Sequence, residues 1–150
     1  MMKRASRLAI AGSQLSISLS AARNRLPGEA MPQAAATAFW QAVREHTDAF
    51  FLGGAPLWRL SLPSTAEAVM LDDAQLIEWG GALRWLRSAR PAAEIRRRAQ
   101  ALGGHATLFR GGDRSHGVFT PLSPALAAIH KRLRAHFDPA GIFDAGRMLL

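Results

Sequence analysis

The fold is decided by Gln75-Leu76-Ile77-Glu78-Trp79-Gly80-Gly81-Ala82-Leu83-Arg84-Trp85-Leu86-Arg87. Residues 75–79 and 82–87 read as two strand segments, short and rich in Leu, Ile and Trp, broken by Gly80-Gly81. The glycine pair is either a hairpin turn or a bulge where a ligand or another backbone approaches closely.

Working outward, residues 57–62 alternate, with Trp58, Leu60 and Leu62 on one side and Arg59 and Ser61 on the other, and Pro63 stops the strand. Residues 63–73 form a mixed loop ending in Asp72-Asp73. Pro91 opens a helix with Ile95, Ala99 and Leu102 inward and Arg96, Arg97 and Arg98 mostly outward, and Gly103-Gly104 supplies its C-cap. His105 to Arg110 is a further strand, followed by a polar loop over 111–117. Ser123-Pro124 gives an N-cap and a first-turn proline to a last helix over 124–137, which is expected to bury Leu126, Ile129, Leu133 and Phe137.

Upstream, an amphipathic helix is expected over 32–51, with Phe39, Trp40, Val43, Thr47, Phe50 and Phe51 on one face and Gly53-Gly54 ending it. Leu15, Ile17 and Leu19 alternate with serines as in a half-buried strand, and 21–26 is a short helical patch. So abrupt a strand-to-helix start fits a chain entered partway through a longer reading frame. Interspersed strands and helices predict an α+β layer, an antiparallel sheet covered by helices on one face. At the end, His136-Phe137-Asp138-Pro139-Ala140-Gly141-Ile142-Phe143-Asp144-Ala145-Gly146-Arg147 holds two tight turns around one apolar pair, a backbone hook shaped to lie against something.

With 49% hydrophobic and 20% charged residues, the 150-residue chain has the composition of a globular domain. The absence of cysteine excludes disulfides, thiolate metal sites and cysteine nucleophiles. All but two (Lys3 and Lys131) of the 19 basic residues are arginine, and the net charge of +8 suits nucleic acid, an anionic ligand or an acidic partner, or reflects coding bias. The apolar run at 8–12 is too short for a signal peptide, and nothing approaches a membrane span of about 20 apolar residues.

The five histidines (His46, His105, His116, His130, His136) show no metal-binding spacing, so surface or capping roles are expected and no metal site is assigned. Ser115-His116 has no nucleophile elbow beside it. Gly111-Gly112-Asp113-Arg114 lacks the lysine of a phosphate loop and reads as a flexible connection. Arg96, Arg97 and Arg98 with Lys131, Arg132 and Arg134 form either a phosphate-binding patch or the solvated faces of two helices. Arg59, Arg84 and Arg110 each sit in a strand with apolar neighbours, where an arginine fork can clamp a carboxylate or simply face solvent. Trp58, Trp79 and Trp85 read mainly as core, with Trp79, beside Gly80-Gly81, the one best placed to line a cavity.

Four blocks in order, Leu57-Trp58-Arg59-Leu60-Ser61-Leu62-Pro63, Glu78-Trp79-Gly80-Gly81-Ala82-Leu83-Arg84-Trp85-Leu86, Gly103-Gly104-His105-Ala106-Thr107-Leu108-Phe109-Arg110 and Phe137-Asp138-Pro139-Ala140-Gly141-Ile142-Phe143, carry a resemblance. Over residues 24–150 the chain resembles the C-terminal cap portion of the FAD-binding subunit of bacterial glycolate oxidase, a vanillyl-alcohol-oxidase-type flavoprotein. The resemblance implies a ferredoxin-like cap domain at 24–150 after a poorly defined segment 1–23, with a flavin-facing tail over 137–150. It implies oxidation of glycolate or D-lactate by hydride transfer to FAD, in a complex with a second flavin subunit and an iron–sulfur subunit. The setting it implies is cytoplasmic, or peripheral to the inner membrane through that complex. Asp144, Gly146 and Arg147 become cofactor contacts, and Arg59, Arg84, Arg110 and Trp79 substrate or subunit contacts.

Two departures stand out. The family's glycine-rich FAD-binding domain is absent, so the chain is expected to be inactive without a separate one. The tail reads Asp144-Ala145-Gly146-Arg147 where the family has Asn-Pro-Gly-Arg, which loses an amide donor and loosens the turn. Two other readings stand beside this one, a small basic module for nucleic acid or an acidic partner, and a truncated remnant without function.

Overall fold

A computed structural model describes residues 31–69, 71 and 73–143. The chain divides into two compact units, residues 1–48 and 49–150. In the first, helix α1 spans Gln33–Arg44. The expected 32–51 helix is therefore cut short. His46 adopts a left-handed φ of 56°, which an α-helix of L-residues does not tolerate, and Phe50 and Phe51 fall in a separate 3₁₀ turn, Ala49–Phe51, at the start of the second unit.

The second unit is built on a four-stranded antiparallel sheet of β1 (Leu57–Ser61), β2 (Ala74–Glu78), β3 (Leu83–Arg87) and β4 (His105–Arg110), in the order β2-β3-β1-β4. The quoted stretch is a hairpin, because β2 and β3 pair antiparallel from Ala74↔Arg87 to Glu78↔Leu83. Its tip, Trp79–Gly81, is a 3₁₀ turn in which Trp79, Gly80 and Gly81 all take positive φ. At Gly81 a side chain would also run into the Ser64 carbonyl, so the close backbone approach expected of a glycine bulge occurs here too.

Strand β3 runs into α2 (Ala92–Ala101) and back into β4, with β1 lying between the two strands. The turn from α2 into β4 needs Gly104, since a Cβ there would collide with the Ser61 carbonyl and Leu62. One sheet face packs on α2: Trp58, Leu60, Leu62, Leu86, Ala106 and Leu108 meet Ile95 and Ala99, with Val69 and Leu71 closing the side. The outer edge of β4 is covered by 118–120, where Leu108 N donates to Val118 O and Ala106 exchanges hydrogen bonds with the Thr120 hydroxyl.

Two burial expectations fail. Helix α3 (Pro124–Phe137) starts where expected, with the Ser123 hydroxyl accepting from Leu126 N, but its apolar face is not buried. Leu126, Ile129, Leu133 and Phe137 are 43–76% exposed, so the apolar stripe is real but no described part of the chain covers it. Trp79 is 77% exposed rather than core, because the hairpin tip projects past the sheet. No helix among the described residues is long and apolar enough to cross a membrane.

Candidate functional site

In a sheet, residues opposed in register share a face, with Cβ atoms about 4.5–5.5 Å apart, and diagonal neighbours lie about 7–8 Å apart. Trp58 and Leu60 point to α2, so Arg59 and Ser61 belong to the other face. Arg59 is opposite Trp85 on β3 and Thr107 on β4. One step along, Ser61 is opposite Leu83 and His105, and Leu83 is opposite Glu78. Five polar residues from three strands thus share one end of the face away from α2.

The floor beneath them is aromatic. Trp85 meets Phe109 and Phe51 edge-on at 5.0 and 5.6 Å between ring centroids, and its indole N–H donates to Glu78 Oε2 at 2.6 Å. That bond fixes the Glu78 carboxylate at the edge of the ring and fixes the ring itself. Arg59 is half-buried and has no hydrogen bond or ion pair to any described residue. A half-buried guanidinium without a counter-charge, on an apolar floor, binds a carboxylate better than it would in water. His105 and Ser61, diagonal and next-but-one to it, add an imidazole and a hydroxyl that can exchange hydrogen bonds with an oxygen beside that carboxylate.

The three strand arginines are not brought together. Arg84 is opposite Leu60, on the α2 side, and is 4% exposed. Its Nη1 and Nη2 donate to the carbonyls of Glu67 and Ala66, both at 2.6 Å, and its Nε donates to Gly81 O at 3.2 Å. That guanidinium ties the 63–73 loop to the hairpin. Arg110 is exposed at the end of β4, beside the register shift at Leu57/Trp58. Trp79 stands at the hairpin tip next to Glu78. Asp144, Gly146 and Arg147 lie outside the described residues, as does the 15–19 strand, but the first half of the hook is formed. Asp138 accepts from the N–H groups of Ile142 and Phe143 at 2.8 and 2.9 Å, leaving both side chains exposed.

The expected outward run Arg96-Arg97-Arg98 is also corrected. Arg96 is 7% exposed and folds inward, because it lies beside Ile95 and three residues before Ala99, both buried against the sheet. Of the six basic residues weighed as a patch, Arg97, Arg98, Lys131 and Arg132 are exposed, Arg134 is half-buried and Arg96 is buried. Sequence reasoning missed Ser61, Thr107, His105 and Glu78. The alternation of buried Ala106 and Leu108 carried a signal for His105 and Thr107, but their position beside Arg59 depends on strand register. Among the described residues no group of three or more His, Asp or Glu is placed to hold a metal ion.

No protein-family model matches the chain, and no solved structure matches it. Glycolate oxidase subunit GlcE of Escherichia coli (strain K12) is 47% identical to it over 131 residues, which is 87% of this chain. The chain spans 35% of the length of that curated relative, a C-terminal part. The four ordered blocks, the α+β sheet and this identity agree: the chain is similar to a C-terminal part of glycolate oxidase subunit GlcE.

Proposed function

We infer that the chain is the C-terminal cap of a glycolate-oxidase FAD-binding subunit, active only when joined by an FAD-binding domain. The identity over most of the chain carries this reading. One feature supports it. The apolar face of α3 continues through Ile142 and Phe143, all exposed, as expected of a surface that another domain covers. In this reading FAD is held by the adjoining domain, with Asp144, Gly146 and Arg147 reaching it from the tail.

In this reading the whole subunit oxidises glycolate or D-lactate, FAD supplying the hydride acceptor, and a second flavin subunit and an iron–sulfur subunit pass the electrons on. It works in the cytoplasm or at the inner-membrane surface through that complex. The cap's own residues bind and orient. Arg59 holds the substrate carboxylate with its planar donor fork, and His105 and Ser61 hold the α-hydroxyl. Trp79 and Arg110 serve subunit contacts, while Arg84 supports the fold.

The test is a graft of this chain onto the remainder of the Escherichia coli subunit, assayed for glycolate-dependent dye reduction. Arg59→Leu should raise KM for glycolate about tenfold or more, the loss of a charged hydrogen bond, with Arg97→Leu silent. A folded graft with no glycolate-dependent turnover, or one in which Arg59→Leu is silent, would overturn the reading.

A further inference from the structure

A strand at the edge of a sheet presents unpaired backbone groups that recruit another strand unless something blunts them. The two edges of this sheet differ. The β4 edge is covered by 118–120, through Leu108 N to Val118 O and the bonds of Ala106 to the Thr120 hydroxyl. At the other end of the order β2-β3-β1-β4, no strand lies beside β2 among the described residues.

Hydrogen-bond parity identifies the groups that β2 presents. Leu62 N donates to Ala82 O and Ser88 N to Pro56 O, and each pair is directly opposite when the β1–β3 register is continued. Arg84 and Leu86, in step with Ala82 and Ser88, therefore turn their N–H and C=O toward β1, while Leu83, Trp85 and Arg87 turn theirs toward β2. Their opposites Glu78, Leu76 and Ala74 are bonded inward, which leaves the N–H and C=O of Gln75 and Ile77 pointing out of the sheet edge. No described residue bonds to these backbone groups.

The common protections of an edge are missing from β2, which carries no proline, no lysine and no bulge. Its one charge, Glu78, accepts from the Trp85 indole N–H at 2.6 Å, and Asp73 just before it is ion-paired to Arg90 at 2.8 Å. The Gln75 side chain donates to Val69 O and Leu71 O at 3.0 and 3.2 Å, so its amide is spent within the chain. Ile77 is 60% exposed.

We propose that β2 pairs antiparallel with β2 of a second copy of this chain, about a two-fold axis at Leu76, joining the two four-stranded sheets edge to edge. The strand is self-complementary in this register. Gln75 lies opposite the partner's Ile77, each such pair exchanges two backbone bonds, and every outward group of both copies is satisfied. Glu78 comes opposite the partner's Ala74, so no like charges are opposed. Leu76 meets the partner's Leu76 as a close, non-hydrogen-bonded apolar pair on the Trp85 face. Moving the axis to Ile77 would set Gln75 against the partner's Trp79, whose φ of 50° takes it out of the strand. Moving it to Gln75 would set Ile77 against the partner's Asp73, which lies before the strand. An edge contact of five residues is small for an interface, so the dimer is weak. It uses none of the residues assigned to substrate or flavin and stands apart from the proposed oxidation.

The test is sedimentation equilibrium of the full chain from low to high micromolar concentration, with amide hydrogen exchange beside it. A monomer–dimer equilibrium is expected, with exchange at Gln75 and Ile77 slowing as the dimer fills. Cysteine, absent from the chain, reports the register. Leu76→Cys should give a disulfide-linked dimer on mild oxidation, because the Cα atoms of a non-hydrogen-bonded pair lie about 4.5 Å apart, within disulfide range. Ala74→Cys, far from its own copy in this register, should not cross-link. Ile77→Pro removes an outward N–H without touching the bonds to β3, and Ile77→Lys places a charge at the exposed edge in case proline disturbs the strand. Each should weaken the dimer about tenfold or more. The proposal is overturned if the chain stays monomeric at high micromolar concentration, if Ala74→Cys cross-links as readily as Leu76→Cys, or if the dimer survives in Ile77→Lys.

Discussion

Replacing Arg84 with methionine separates an arginine that holds the fold from one that binds a ligand. Its two bonds to Ala66 and Glu67 are short and charge-assisted, each worth about 1.5–3 kcal/mol, and the 3.2 Å bond to Gly81 adds about 0.5–1 kcal/mol. The gross loss is thus about 3.5–7 kcal/mol. Glu67 is exposed and Ala66 half-buried, so water recovers part of their carbonyls' bonding, and methionine keeps most of the packing. A net destabilisation of about 2–4 kcal/mol remains, or a urea midpoint lower by about 1–2 M. Arg59→Met, which removes a residue with no described partner, should stay within about 0.5 kcal/mol. The assay is urea unfolding followed by tryptophan fluorescence, with proteolysis of the 63–73 loop as a local probe. Equal midpoints for Arg84→Met and the unmodified chain, with the loop still protected, would refute the structural role.

Three more outcomes are expected. Trp79 sits at φ 50°, a conformation costing a non-glycine residue about 1–2 kcal/mol, and at 77% exposure it gains little packing in return. Trp79→Asn should therefore raise stability by about 0.5–1 kcal/mol in denaturant while weakening subunit assembly, and a loss of stability would contradict this. Asp113 has its pKa lowered, first by the Ser115 backbone N–H and then by the Ser115 hydroxyl. Its contribution to stability is present above the ordinary carboxylate pKa and is lost as pH falls through the depressed folded value. Ser115→Ala should move the Asp113 titration, followed by carboxyl-carbon NMR, back toward ordinary, and an unchanged midpoint would assign the shift elsewhere. Leu133→Asp, on the exposed stripe of α3, should leave the isolated chain's stability within about 0.5 kcal/mol but block its association with an FAD-binding domain. A large loss of stability would mean that the stripe is already covered within the chain.

Local pattern was a good guide where the structure is local. The β2 and β3 strands follow from two short segments broken by a glycine pair, of whose two readings the structure takes the hairpin, and α2 and α3 follow from their prolines, caps and apolar spacing. What depends on long-range register was less legible. Arg59 and Arg84 look alike in sequence, yet Arg84, two residues from Leu86 and opposite Leu60, turns toward α2, while Arg59, one residue from Leu60, is on the other face. Arg96 reads as one of three solvated arginines until α2 is laid on the sheet. For α3 the periodicity marks an apolar stripe, but the expected burial fails because no described residue covers it, so the period gave the stripe and not its environment. The Glu78, Ser61 and His105 row needed three strands in register before it existed as a site.

The central proposal is that this chain completes a flavin site together with a separate FAD-binding domain. The most direct measurement is the visible flavin spectrum of the purified chain, alone and after mixing with the FAD-binding remainder of the Escherichia coli relative, before and after glycolate. The account predicts no flavin on the chain alone, retained flavin in the mixture, and bleaching by glycolate only there. A folded chain that neither retains flavin in the mixture nor associates with that domain would contradict it.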